Sequence, residues 1–397
     1  MTSQLPPAPA GSLRYAELES LRGLAALLVV LFHIPPWNPW LHELAIIRNG
    51  ALMVQLFFVL SGFVIYTAYG QKLRTGTEVL RFQFLRLGRL YPLHLFMLGA
   101  FVFMELIKYP LLAHGFNAGE PFAYNDWHAL LDHLLLVQAI GPDNSGFTFN
   151  GPAWSISVEF YTYLLFAAVV RLLPRGKLWV CALLALGAMV LMFFQLASGY
   201  INLVWCVAGF FLGCLVSALV QARPALVLPA LTPWLAFAAL LAFLQFNHSV
   251  RNDVLIYPLS ALLILGIVSG KPGVFQRVLQ LKPLRQLGEW SYAIYMVHAF
   301  ILDLLIRALF YGLHDRLQQI NGMWLPQLGL AQALCLYAGF IGVTLLAASA
   351  LYRYIETPWR ERSRRFVQRA PLPWFGGLAL LLFCALYAVN NLNNQAG

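Results

Sequence analysis

Three side chains that can move protons stand inside stretches that are otherwise apolar. His33 closes the run Leu18-Glu19-Ser20-Leu21-Arg22-Gly23-Leu24-Ala25-Ala26-Leu27-Leu28-Val29-Val30-Leu31-Phe32-His33, eleven residues after Arg22. On one helix those two side chains are about 16 Å apart, roughly half the depth of a bilayer's hydrocarbon core. Glu159 ends Trp154-Ser155-Ile156-Ser157-Val158-Glu159, and His298 ends Trp290-Ser291-Tyr292-Ala293-Ile294-Tyr295-Met296-Val297-His298. An imidazole titrates near neutral pH and serves as general base or nucleophile. A carboxylate buried without a partner is expensive, so Glu159 requires one. His33, expected at a similar depth, is a candidate, with the carboxylate orienting the ring.

The elements that hold these groups are read from composition. Of 397 residues, 60% are hydrophobic and 11% charged, and the mean hydropathy is +0.70. A soluble chain carries about a quarter charged residues, so the expected fold class is all-α, a polytopic membrane helical bundle of ten or eleven spans. The hydrophobic segments lie near 22–38, 50–69, 91–108, 153–170, 178–196, 203–220, 230–246, 254–269, 290–310, 328–352 and 372–390. With the N-terminus inside, 21 of the 26 Lys and Arg residues fall on the inner side, which predicts a cytoplasmic N-terminus and an outer C-terminus. That distribution accounts for the net charge of +10 without a nucleic-acid partner. No cleavable signal peptide is read at the start. Cys181, Cys206, Cys214, Cys335 and Cys384 lie in apolar runs without metal spacing, so neither a disulfide framework nor a metal site is expected.

The expected organisation is a tail over 1–20, a catalytic transmembrane domain over 21–362, and a basic linker with one more span over 363–397. Residues 109–152 form a long outer connection in which 127–140 shows helical apolar spacing and is expected along the membrane interface. The Gly141-Pro142-Asp143-Asn144-Ser145-Gly146 stretch after it reads as loop. Residues 70–90 form a basic inner connection in which Arg86 and Arg89 share a helix face near Arg81. Their guanidinium forks match phosphate oxygens, although orientation alone also makes inner loops basic. Gly62 leaves room for another helix or a slender ligand, and Gly209 with Gly213 spells a helix-packing spacing. Asp303 and Arg307 are spaced to pair with each other, and Glu356, among arginines, reads as structural.

Six motifs in order resemble the integral-membrane acyltransferase-3 family. They are Arg22-x10-His33, the Leu56–Phe63 run with Ser61-Gly62, Arg86-x-x-Arg89-Leu90-Tyr91-Pro92, Trp154–Glu159, Leu287–His298 and Glu356-Thr357-Pro358-Trp359. The likeness spans about residues 15–362. It departs from many relatives in having no fused hydrolase-like domain and in carrying Phe160 where a second acidic residue often follows. The resemblance implies an O-acyltransferase of a bacterial inner membrane with an acyl-CoA donor, usually acetyl-CoA, and no metal. Arg22, Ser61, Gly62, Arg86 and Arg89 would then serve the donor, with Gly62 giving the thioester arm clearance, and His33, Glu159 and His298 the chemistry. His33 would act as general base or as an acyl-histidine relay. The acceptor implied is a glycan or lipid-linked saccharide, such as a lipopolysaccharide O-antigen or exopolysaccharide unit, met by Asp126, His128 and Asp132. A macrolide-like small molecule, a proton-coupled flippase, and a scaffold for polysaccharide export are the alternatives, the flippase weakened by the lack of an inverted repeat.

Overall fold

The computed structural model describes residues 15–116, 119–141, 146–313, 317–320 and 323–369. The expected eleventh segment with Cys384, the start of the N-terminal tail, Asn117 and Pro142–Ser145 lie outside the described residues. The other ten expected segments are each helical: α1 (Ala16–His33), α4 (Met53–Tyr69), α5 (Gly76–Ala113), α7 (Trp154–Leu172), α8 (Lys177–Phe193), α9 (Ile201–Ala222), α10 (Thr232–Phe246), α11 (Ile256–Ser269), α14 (Ser291–Gly312) and α15 (Leu330–Leu351). Short helices α2 (Pro39–His42), α3 (Ala45–Arg48), α6 (Trp127–Leu135), α12 (Val274–Leu279) and α13 (Lys282–Glu289) connect them, and α16 (Thr357–Arg369) follows α15 through one π-helical turn. A single antiparallel hairpin, β1 (Leu317–Ile320) with β2 (Met323–Pro326), is the described sheet. Among the described residues seven helices are long and apolar enough to cross a membrane, and α8 and α10 are shorter apolar helices. The chain is a polytopic helical membrane protein.

α1 starts six residues earlier than the hydrophobic run implied and stops at His33. Pro35 and Pro36 follow Ile34, and a residue before proline is driven out of the helical region, as Ile34 is. Past the break Trp37 is fully buried, its carbonyl accepts the Leu328 N–H, and the Asn38 amide donates to the Leu328 carbonyl. The end of α1 is thereby tied to the start of α15.

Helices α4 and α9 cross at glycines. A Cβ on Gly62 would overlap the Phe210 carbonyl, and one on Gly213 would overlap that of Val59. With no side chain between them the two backbones touch, the arrangement favoured where dispersion rather than water drives packing. Gly62 therefore serves a helix crossing, and the clearance expected of it for a donor arm is taken by α9.

α5 runs for 38 residues, opened by a capping box between Thr75 and Glu78. At about 57 Å it is nearly twice the thickness of a hydrocarbon core, about 30 Å. Most of the basic connection expected over 70–90 is thus the first third of a continuous helix, with Pro92 inside it. α16 lies across this third: a Cβ on Gly88 would overlap the Ser363 hydroxyl, and Phe84 and Phe366 meet with ring centroids 5.0 Å apart. The boundary expected at 362 falls within α16. α1 docks on α12 and α13 at the same end, where the Ser20 hydroxyl donates to the Leu279 carbonyl.

The segment after residue 119 departs most from expectation. It does not lie along the surface as an amphipathic helix over 127–140. α6, N-capped by the Asp126 side chain, ends at Leu135, and the backbone of its last turn is held by α5 and α7. Four successive carbonyls there find side-chain donors. Those of His133 and Leu134 accept from His94 (2.8 Å) and Tyr91 (2.9 Å) of α5. Those of Leu135 and Leu136 accept from Tyr161 (3.2 Å) and Ser157 (2.6 Å) of α7. The start of the segment is held near the far end of α5, where Glu105 accepts from Lys108, the Phe122 N–H and Asn125. From Glu105 to Tyr91 is fourteen residues of α5, about 21 Å. α6 thus descends beside α5 as a re-entrant element, and non-helical backbone at such depth survives only when protein groups satisfy it.

Candidate functional site

The cavity is built on α4, α5, α7 and α14, with Arg22 contributed by α1. Arg22, Arg86 and Arg89 line one part of it, and Ser61, Glu159 and Tyr163 stand beside them. Ser291, Tyr292 and Tyr295 form the α14 wall. Spacing explains these contributions. Ser291 and Tyr295 are one turn apart on α14, as Glu159 and Tyr163 are on α7.

Beyond Tyr295 the α14 stripe reaches His298, and the two rings are 6.0 Å apart. His298 meets His33 edge to face with centroids at 4.8 Å. Eleven residues make about three helical turns, so Arg22 and His33 lie on one face of α1, Arg22 at the cavity and His33 at the imidazole pair. Each ring is oriented by its own helix: His33 Nδ1 is 2.8 Å from the Val29 carbonyl and His298 Nδ1 is 3.2 Å from that of Ile294. A carbonyl only accepts, so both Nδ1 atoms carry hydrogen, and in the neutral ring each Nε2 then presents a lone pair. His298 is fully buried, and its Nε2 has no hydrogen-bond partner among the described residues.

Glu159 does not join this pair. Its hydrogen bonds come from the Ser61 hydroxyl, at 2.5 Å, and the Tyr163 hydroxyl, at 2.6 Å. The structure therefore brings together His33 with His298, and Ser61 with Glu159, as two separate groups, while Arg22, Arg86 and Arg89 share the cavity with the second. Around the arginines, Arg89 lies within Coulomb range of Glu19, Glu159 and Glu356. Glu356 is buried, with Arg360 3.8 Å away and Arg22 and Arg89 near. Arg364 stands near Arg360, Arg86 and Arg89. Tyr163, Tyr295 and Arg364 were not anticipated. Tyr163 follows Glu159 by one turn, a spacing visible in the sequence, whereas Arg364 depends on α16 folding over Gly88. Asp126 is used as a helix cap, with His128 3.9 Å away, and Asp303 pairs with Arg307 at 2.9 Å. Among the described residues no three His, Cys, Asp or Glu side chains gather as metal ligands.

A family model described as an acyltransferase domain matches residues 15–353, taking in the arginines, the histidine pair and the Ser61–Glu159 group. The chain belongs to the acyltransferase-3 family. It is an acyltransferase, and a transporter or scaffold without chemistry is set aside. It is 28% identical to acyltransferase MdmB of Streptomyces mycarofaciens over 92% of this chain and 97% of that one. It is also 35% identical to protein 2 in the picA locus of Rhizobium radiobacter, over 42% of this chain and 84% of that protein. O-acetyltransferase OatA of Staphylococcus aureus is 26% identical over 87% of this chain, which spans 57% of OatA. No solved structure matches this acyltransferase.

Proposed function

We propose that this acyltransferase moves an acyl group, acetyl in the simplest case, from acyl-CoA to a hydroxyl of a glycan or lipid-linked saccharide at a bacterial inner membrane. One observation carries the reading: a cavity lined by three arginines has in its wall a tyrosine ring 6.0 Å from His298, which in turn meets His33 at 4.8 Å. The arginines hold the donor's phosphates, since guanidinium groups match phosphate oxygens in fork geometry. Their end of the bundle faces the cytoplasm, as its basic composition favours. His33 Nε2 takes the proton of the acceptor hydroxyl as that oxygen attacks the thioester carbon. The carbon–sulfur bond breaks, the ester forms, and the proton leaves on the released thiol. His298 offers its lone pair to the imidazolium formed at His33. In the rival order His33 first takes the acyl group and passes it to the hydroxyl.

The acceptor reading draws on the family resemblance and on the printed name of OatA, an O-acetyltransferase. The test compares the surface glycan of wild-type, deletion and His33→Ala cells by mass spectrometry, with the variant shown to be inserted and abundant. Loss of one ester-linked acyl mass in both mutants is expected. Loss in the deletion alone removes His33 from the mechanism. An unchanged glycan in both moves the acceptor to a small molecule.

A further inference from the structure

Glu159 stands in the cavity wall with an uneven set of partners. Both of its hydrogen bonds, from Ser61 and from Tyr163, arrive at Oε1. Among the described residues no group donates to Oε2, and no cation lies within 4.0 Å of the carboxylate. Ser61 and Tyr163 are themselves 3.0 Å apart, so the three side chains brace one another and fix which oxygen is engaged. A carboxylate withdrawn from water costs free energy unless its lone pairs are used. Here two hydroxyl protons are spent on one oxygen, and the other is left toward the cavity.

The position along the bundle narrows what Oε2 meets. The Tyr295 hydroxyl donates to the Pro152 carbonyl at 2.8 Å, which sets the two helices in register. From Pro152, α7 runs toward Arg171, and Glu159 is seven residues along it, about 10 Å. From Tyr295, α14 runs the other way, and His298 is three residues along it, about 4–5 Å. Glu159 therefore lies about 15 Å from the imidazole pair along the bundle, on the arginine side of Tyr295. Arg22 is about as far from His33 along α1, roughly 16 Å, so a group at that level meets the phosphate end of the pantetheine arm of an extended donor whose phosphates are at the arginines and whose thioester is at His33.

We propose that Glu159, braced by Ser61 and Tyr163, is a donor-positioning residue whose Oε2 accepts an N–H or O–H from the pantetheine arm of the acyl donor, remote from the sulfur. The inference rests on the thioester reading above. It reassigns Glu159 from acid–base chemistry at His33 to holding the arm, and it explains why Ser61 belongs to the donor site while Gly62 does not. The same arm occurs in acyl-CoA and in an acyl carrier protein, so the contact itself serves either source.

The test uses the full chain in lipid nanodiscs with three thioesters of one acyl group. These are acyl-CoA, acyl-pantetheine, and acyl-N-acetylcysteamine, which lacks the distal amide and the hydroxyl. Glu159→Gln is expected to lower kcat/KM about ten- to a hundred-fold with the first two, mainly through KM, the cost of a hydrogen bond to a charged group. It is expected to leave the third within twofold of wild type, whereas His33→Gln lowers all three. Tyr163→Phe, which keeps the carboxylate, is expected to show the same pattern more weakly, and it decides the matter if Glu159→Gln does not fold. An equal loss of kcat/KM with all three thioesters, or no loss with any, overturns the assignment. A wild-type protein that uses acyl carrier protein and acyl-pantetheine but not acyl-CoA overturns the CoA source and retains the arm contact. A wild-type protein that acylates acceptor in membranes yet uses no pantetheine thioester overturns the donor reading, and the assignment falls with it.

Discussion

His33 and His298 each use the carbonyl one turn earlier on their own helix to hold Nδ1–H, which leaves two basic nitrogens at one point of the bundle. His33→Ala should lower kcat at least about a hundredfold, the usual contribution of a positioned general base, with the KM for donor little changed. Acyl transfer from labelled acyl-CoA in purified membranes measures both. In the proposed function Arg86 works at the other end of the donor. Arg86→Ala should raise the donor KM about tenfold, the worth of a modest charge-assisted contact, and leave kcat nearly intact, as read by the same assay at several donor concentrations. Residue types alone picked out the histidines, because a titratable ring in an apolar run is conspicuous. They did not show that Glu159 belongs to Ser61 rather than His33. Residues 61, 159 and 163 come from two helices, and their meeting depends on how α4 and α7 are turned about their axes.

The elements rest on contacts that sequence patterning shows unevenly. Ten helices could be placed because every backbone group in lipid must be satisfied within its own segment, which leaves long apolar helices as the readable solution. The descent of α6 was hidden. An amphipathic stretch looks the same whether it lies among headgroups or has its last carbonyls held by the hydroxyls of Tyr91 and Tyr161. Glu105 is the anchor of that descent, buried against Lys108 and holding the Phe122 N–H and Asn125. Glu105→Ala should cost about 3–5 kcal/mol by stranding Lys108 and should open residues 119–127 to limited proteolysis in detergent. At the α4–α9 crossing, Gly213→Leu should destabilise by at least about 1–3 kcal/mol, the cost of overpacking. Lower thermal stability by size-exclusion chromatography after heating checks it.

For the whole molecule, charge placement and helix packing agree on two unlike ends. One gathers α13, α16 and the first third of α5, with their arginines. The other gathers α2, α3, the hairpin and the start of α6. With single cysteines introduced into a cysteine-free protein, a membrane-impermeant thiol reagent applied to intact cells should label position 128 and spare position 175. The reverse pattern would invert the donor and acceptor sides. The ring of Tyr295 adds a consequence for the reaction. Its hydroxyl is held by the Pro152 carbonyl, and its ring lies in the cavity wall 6.0 Å from that of His298. A side chain tied at both its backbone and its hydroxyl does not swing aside freely, so a thioester that travels from the arginines toward the imidazoles slides past a fixed aromatic wall.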